Sequence, residues 1–398
     1  MSFIGDFVDK AVNFVQDVFD GDDEPKKAAP KPARSKDLAA DSKTTYGGGS
    51  STATPSGGMM DTIRARVADS GGPDEGATVA RPPSTRPGAD LPPHLRFERT
   101  IAPPAQTTPL EPTGSTARAA AVDVTAGGTT EDAAVAGANV QKGLDYYAST
   151  FGRQGLDGAG SGVDVLVNDR RADANGEEMF KGNGGYYALP DGNGQLSEAI
   201  HFGVGKSYQG VRGLVDQASM ANADDLAIHE LTHGIIRKET GHLGGEADEA
   251  GATNEGIADV MAASATRDWK IGEGMYTAKS EYKLMRNIEN PDDQTAIHGL
   301  WTSMDQVNAE KAAGREVEEH WASGVVSTVG QRVQSRFGGE EGWKVVENVF
   351  YDTIDNTRLG DMSFAATAAA LRTSAAAVYG EGSSVDLVFD EELRRGGL

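Results

Sequence analysis

The sequence predicts an α+β protein in two lobes, a mixed lobe followed by a mainly helical one, with a long tail in front. Three observations predict it. Between Asp20 and about Thr130 the chain is rich in Pro, Gly, Ser, Thr and Ala, as in KKAAPKPARSK and RPPSTRPGADLPPH, and carries few large apolar side chains. Such a stretch cannot bury enough apolar surface to offset the entropy of folding. Past Val140, GLDYYASTFGR has helical spacing, and VDVLVN (163 to 168) and AIHFGVG (199 to 205) read as strands. From Asp224 onward nearly every periodic stretch is helical, from DDLAIHELTHGIIRKETG to SFAATAAALRTSAAAVYG.

Taken in order, residues 1 to 20 form an amphipathic helix: Phe3, Ile4, Phe7, Val8, Ala11, Val12, Val15, Val18 and Phe19 recur on one face, with Asp6, Asp9, Asp17 and Asp20 around it. Its acidic polar face suits a protein groove better than an anionic membrane. The two readings are a docking helix and a helix that packs on its own domain. Residues 21 to 130 read as a disordered linker in which LPPHLRFERTIAPP (91 to 104) alone has the apolar weight of a short pro-segment. The mixed lobe is assigned to 131 to 240 and the helical lobe to 241 to 398, with no internal repeat, and a monomer is expected.

The chain of 398 residues contains no cysteine. Disulfides, thiol nucleophiles and thiolate metal sites are therefore excluded, and any metal must use His, Asp or Glu. Of the net charge of −23, residues 1 to 130 hold 17 acidic against 14 basic side chains, so the acidity belongs to residues 131 to 398. Such a surface argues against nucleic acid as a partner. No apolar run approaches the roughly 20 residues of a membrane span. The opening MSFIGDFVDK also lacks the basic region and cleavage site of a secretory signal. Export by a non-classical route is the expectation, with a cytoplasmic location as the alternative.

At 229 to 234 the chain reads HELTHG. Positions i and i+4 lie one above the other on a helix, so His229 and His233 can present both imidazoles to one metal ion. Glu230, one step round the helix, stays off the ion but close to a water that it holds, which suits a general base. Chance produces the pattern on the order of once per hundred such chains, so a third ligand is needed. It comes 22 residues after His233, in TNEGIADV: Glu255 sits on a second helix with Thr253 as the expected N-cap, and Asp259 lies one turn further on. Two histidines and a glutamate leave one position of zinc open, and Asp259 can orient a ligating histidine.

HELTH followed by NEGIAD resembles the thermolysin-like neutral zinc metallopeptidases. The resemblance extends over GLDYYASTFGR, AIHFGVG, DWKIGEG, MRNIENP and HWASGVV, about 260 residues from Val140 to the end. It implies that fold, zinc on His229, His233 and Glu255, and Glu230 as the base. It further implies that His320 stabilises the oxyanion, with Glu316 as the candidate to orient it. Arg286 corresponds to an arginine that grips a substrate carbonyl, and Leu226, Ile271, Met275 and Met285 to the lining of an apolar pocket, so that cleavage precedes a bulky hydrophobic residue. Asn183 and Gly185, in NGGYYA, are approximate matches to the edge that binds the peptide.

Three departures stand out. The family's tyrosine between the two zinc helices has no counterpart in GHLGGEADEAGATNEG, which leaves its role to His242 or another group. At the family's calcium site Asp225, Asp268 and Glu273 match, but Lys270 replaces a carboxylate, so at most one calcium is expected. The large pro-domain is missing, which brings the chain closer to the short-precursor, protealysin-like branch. The implied function is a metalloendopeptidase of the kind bacteria secrete or inject, with the terminal helix engaging a secretion or injection apparatus. The alternative is a catalytically weakened zinc-binding protein that docks through that helix. His94, His201 and His298 read as a linker, a strand and a helix residue without catalytic roles.

Overall fold

A computed structural model of the chain describes residues 114 to 398 except 173–175, 191–195, 242–247, 316 and 356–358. The terminal helix, the stretch 91 to 104, His94, His242 and Glu316 lie outside the described residues.

Strands β1 (Ala119–Asp123), β2 (Val163–Val167), β3 (Gly184–Pro190) and β4 (Leu196–Phe202) form one sheet in the order β1-β2-β4-β3. The first three in that order run parallel, and β3 is antiparallel at the edge. Val163, Val165 and Val167 alternate inward against helix α1 (Glu131–Phe151), whose first turn is capped by the Thr130 hydroxyl and whose end is set by Gly152 at φ 75°. The linker expected to reach residue 130 therefore ends earlier. Its last part, AAAVD, is strand β1, held by its register with β2 from Ala119↔Val163 to Asp123↔Val167. Small residues of weak strand propensity hid it in the composition, and tertiary pairing overrides that propensity.

A hairpin of β5 (Lys206–Gly210) and β6 (Gly213–Gln217) leads to helix α2 (Asp224–Thr240), which carries HELTH. Helix α2 is buried on nearly all sides, with Leu226, Leu231, Ile235 and Ile236 fully enclosed. Each such side chain contributes roughly 1.5–3 kcal/mol of burial. It is a rigid mount for the histidines. Helix α1 lies so close that a Cβ at Gly143 would stand 2.7 Å from the Leu231 Cδ2. Helix α3 (Glu249–Thr266) packs beside α2. Its N-cap is Asp248, which accepts the Ala250 and Gly251 N–H groups at 2.8 and 3.1 Å, so Thr253 lies inside the helix and buried rather than at its cap.

Short strands β7 (Lys270–Ile271) and β8 (Arg286–Asn287) pair antiparallel. Helices α4 (Met304–Ala312), α5 (Glu319–Ala322), α6 (Gly324–Phe337), α7 (Gly339–Asp355), α8 (Phe364–Tyr379) and α9 (Ser384–Arg395) complete the helical part. His298 lies in the bend between β8 and α4, not on a helix, because Ile297 and His298 donate their N–H groups to Leu284 and Met285 instead of continuing a helical ladder. One continuous apolar core joins the sheet, α2, α3 and the later helices. Among the described residues no helix is long and apolar enough to cross a membrane.

Candidate metal centre

Helix α2 sets the Nε2 atoms of His229 and His233 2.9 Å apart. From α3, Glu255 brings Oε2 to 3.2 Å from the His229 Nε2 and Oε1 to 3.2 Å from the His233 Nε2. Among the described residues this is the only group of three such donors whose ligand atoms lie within 4.8 Å of one another. Gly256 explains how a fourth group joins them. A Cβ there would stand 2.7 Å from the Ser323 carbonyl and 2.8 Å from the Val326 Cβ, so only glycine lets α6 and the preceding α5 close on α3. That approach brings the His320 Nε2 to 3.8 Å from the Glu255 Oε2.

The outer partners fix which atoms face inward. The His229 Nδ1 lies 3.0 Å from the Asp259 Oδ1, and the His233 Nδ1 lies 3.1 Å from the Asn254 Oδ1. With their Nδ1–H groups turned to these acceptors, both histidines aim Nε2 lone pairs at each other and at Glu255. The Glu255 Oε2 is buried without a hydrogen-bond partner. Three lone-pair donors converging in a buried space require positive charge between them. Burial opposes charge on His229, yet Glu255 and Asp259 outweigh it and push the imidazole up to about 10. A divalent ion supplies the same charge, and two imidazoles with one carboxylate are a donor set that fits it.

Glu230 is buried beside the histidines, and burial raises its carboxyl pKa although His233 and His229 partly offset this. The His320 Nδ1 meets the Glu318 Oε1 at 2.8 Å, while the Glu318 Oε2 accepts the Trp321 N–H at 2.7 Å. Burial opposes the His320 charge, but Glu255 and Glu318 push the ring up to about 9, so it is a cationic donor at neutral pH. Glu318 is thus an acid that can orient His320. The His298 ring stacks on His320 with centroids 5.5 Å apart, and burial together with the His320 charge brings it down to about 3.

The family models for the thermolysin metallopeptidase catalytic domain and for its alpha-helical domain match residues 105–237 and 247–390. The chain belongs to the thermolysin metallopeptidase family. Neutral protease B of Bacillus subtilis (strain 168) is 32% identical over 170 residues, 41% of this chain and 26% of that protein. An extracellular elastase of Staphylococcus epidermidis is 24% identical over 248 residues, 60% of this chain and 41% of that protein. The chain therefore spans well under half the length of these curated relatives. The solved precursor of protealysin, a metalloproteinase from Serratia proteamaculans, superposes with a TM-score of 0.55 at 19% identity, covering 74% of this chain and 90% of that one, and shows the shared fold.

Within this thermolysin-family chain the other expected site residues fare unevenly. Arg286 is 1% exposed and gives its Nη2 to the Asp259 Oδ1 at 2.7 Å, which ties it to the His229 support. Leu226, Ile271, Met275 and Met285 are all buried, and Leu226 and Met285 meet across Gly272. Asn183 is buried, with its Oδ1 accepting the Gly184 N–H at 2.8 Å. Gly185 sits on β3 under the Tyr187 ring, where a Cβ would collide with it. Asp225, Asp268 and Glu273 line one cleft of about 330 Å³ with Lys142 and Lys270, but their carboxylates do not converge. Asn254, Glu318, His298 and Glu319 are the groups around the centre that the sequence reading missed. A polar residue directly beside the ligand Glu255 was the available signal for Asn254, and an acid two residues before His320 for Glu318.

Proposed function

We propose that the chain is a zinc-dependent metalloendopeptidase, and the observation that carries this reading is the convergence of His229, His233 and Glu255 beside a buried Glu230. These three residues would hold zinc, which would supply Lewis acidity toward the scissile carbonyl and lower the pKa of a water. Glu230, its pKa raised by burial, takes the proton from that water and returns it to the leaving amine. His320, held cationic by Glu255 and Glu318, donates from Nε2 to the oxygen on which charge develops. Asp259 and Asn254 hold the two ligating rings in register, and Arg286 holds Asp259. A retained base beside the ligands supports a peptidase over a binding protein.

The test is cleavage of casein by the full chain. Loss of cleavage with a chelator, recovery with zinc and loss in Glu230→Ala are expected; cleavage that survives both would overturn the reading. Preference for a bulky hydrophobic residue after the cut is supported by the apolar positions around Gly272 and is read from the cleavage products. Calcium would have to be held by Asp225, Asp268 and Glu273, and with Lys142 and Lys270 among them millimolar calcium is expected to leave the melting temperature unchanged. Export follows the relatives named as extracellular, with residues 1 to 23 as the docking element for a secretion apparatus. Deleting them is expected to abolish export and keep peptidase activity.

A further inference from the structure

His320 sits on α5, a single turn of four residues, so its helix gives the ring little support. Its Nδ1 meets the Glu318 Oε1 at 2.8 Å, and its Nε2 points toward the Glu255 Oε2, 3.8 Å away. Both contacts lie at the ring edge, and hydrogen bonds of this kind tolerate a tilt of the donor plane. The face of the ring is held by His298. The two centroids are 5.5 Å apart with the planes within 20° of parallel, an offset stack of buried rings. His298 is placed by the backbone: its N–H donates to the Met285 carbonyl at 3.0 Å, and the Ile297 N–H donates to the Leu284 carbonyl at 3.1 Å. It is thereby tied to the segment that enters β8 and carries Arg286, the partner of Asp259. The His298 Nδ1 is buried without a hydrogen-bond partner, so what this imidazole contributes is its flat face. Burial and the His320 charge keep it neutral, and a neutral aromatic face attracts a cation where a second cation would repel it.

We propose that His298 is a positioning residue whose ring seats the face of His320 and holds its Nε2 donor where the oxyanion forms. The inference rests on the peptidase reading and adds to it a residue that acts through His320. A donor aimed at developing charge works only in the right place, so a seat that lets the ring tilt costs rate without costing substrate affinity.

Zinc-loaded full chain is compared with three variants. His298→Leu and His298→Gln fill the space without a ring, either one sufficing if the other does not fold, and His298→Phe restores a flat ring without nitrogens. On one short peptide with a bulky hydrophobic residue after the cut, kcat and KM are measured. Calorimetry gives Kd for the phosphinic peptide of the same sequence, whose tetrahedral oxygens stand in for the oxyanion. The ringless variants are expected to lower kcat and weaken phosphinic binding about tenfold each, with KM and zinc affinity unchanged. His298→Phe is expected to recover both. In a chain already carrying His320→Ala, losing the His298 ring is expected to change neither, because the two residues act as one unit. Unchanged kcat and phosphinic binding in the ringless variants overturn the proposal. So does a loss that phenylalanine does not recover, that is repeated in full on top of His320→Ala, or that comes with weaker zinc binding. A parent chain that neither cleaves the peptide nor binds the phosphinic one counts against the peptidase reading itself, and the proposal falls with it.

Discussion

Helix α2 serves two acid-lined sites one turn apart, and they are built on opposite terms. At His229 and His233 the outer nitrogens are turned to Asp259 and Asn254, and the inner ones converge on Glu255, each at 3.2 Å from one of its oxygens. At Asp225 the carboxylate is already satisfied: Oδ1 accepts the Leu226 N–H and Oδ2 the Gly272 N–H, each at 2.7 Å. Lys270 stands 3.8 Å from Glu273 and Lys142 3.1 Å from Asp224 beside it. Burial pushes Asp225 up to about 6, still below neutral pH, so what the second site lacks is free lone pairs, and Lys142 and Lys270 offset part of its negative charge. The difference teaches that a metal site is marked by donors that the fold turns toward one another, more than by a count of acids.

Substitutions at the two kinds of carboxylate sharpen that contrast. Glu230→Ala is expected to lower casein cleavage by about 10²–10⁴-fold while zinc stays bound, as read by metal analysis of the purified variant. His320→Ala is expected to cost about 10²–10³-fold, in kcat more than in KM, because its hydrogen bond strengthens only as charge develops. Asp259→Asn keeps a polar partner for the His229 ring but removes its charge, and zinc affinity measured by chelator competition should fall about 10–100-fold. The smallest effect is expected where a carboxylate serves only the fold. Glu198 on β4 accepts from the Arg237 Nε at 2.8 Å, the Lys238 Nζ at 2.5 Å and the Tyr186 hydroxyl at 2.8 Å, and these outweigh burial to bring it down to about 2. A depressed carboxylate stabilises above its ordinary value near 4.5 and loses that contribution as pH falls toward 2. Urea melts of Glu198→Gln should therefore show a loss of about 1 kcal/mol at pH 7 that shrinks below pH 4, with zinc binding intact.

The centre was legible in the sequence where helical spacing alone decides geometry. His229, Glu230 and His233 follow from a four-residue step, and Glu255 with Asp259 from another step of the same size. It was not legible where a turn or a tertiary approach decides. Glu318 reaches His320 only because α5 is a single turn capped by Glu318 itself, so the acid two residues before the histidine comes alongside it. His298 was read as a helix residue, yet it arrives under His320 through a bend pinned by Leu284 and Met285. Strand β1 was lost in an Ala-rich stretch whose order comes from β2. Thr253 had the chemistry of a cap, but Asp248, one turn earlier, holds the free N–H groups of α3.

The convergence of these three donors is tested most directly by X-ray absorption at the zinc edge on zinc-loaded full chain and its His233→Ala variant. The account predicts one zinc per chain with two imidazole nitrogens and carboxylate oxygen at about 2.0–2.2 Å, and loss of one imidazole with a large drop in affinity in the variant. Zinc surrounded by oxygen alone, or an identical spectrum and affinity in His233→Ala, would contradict it.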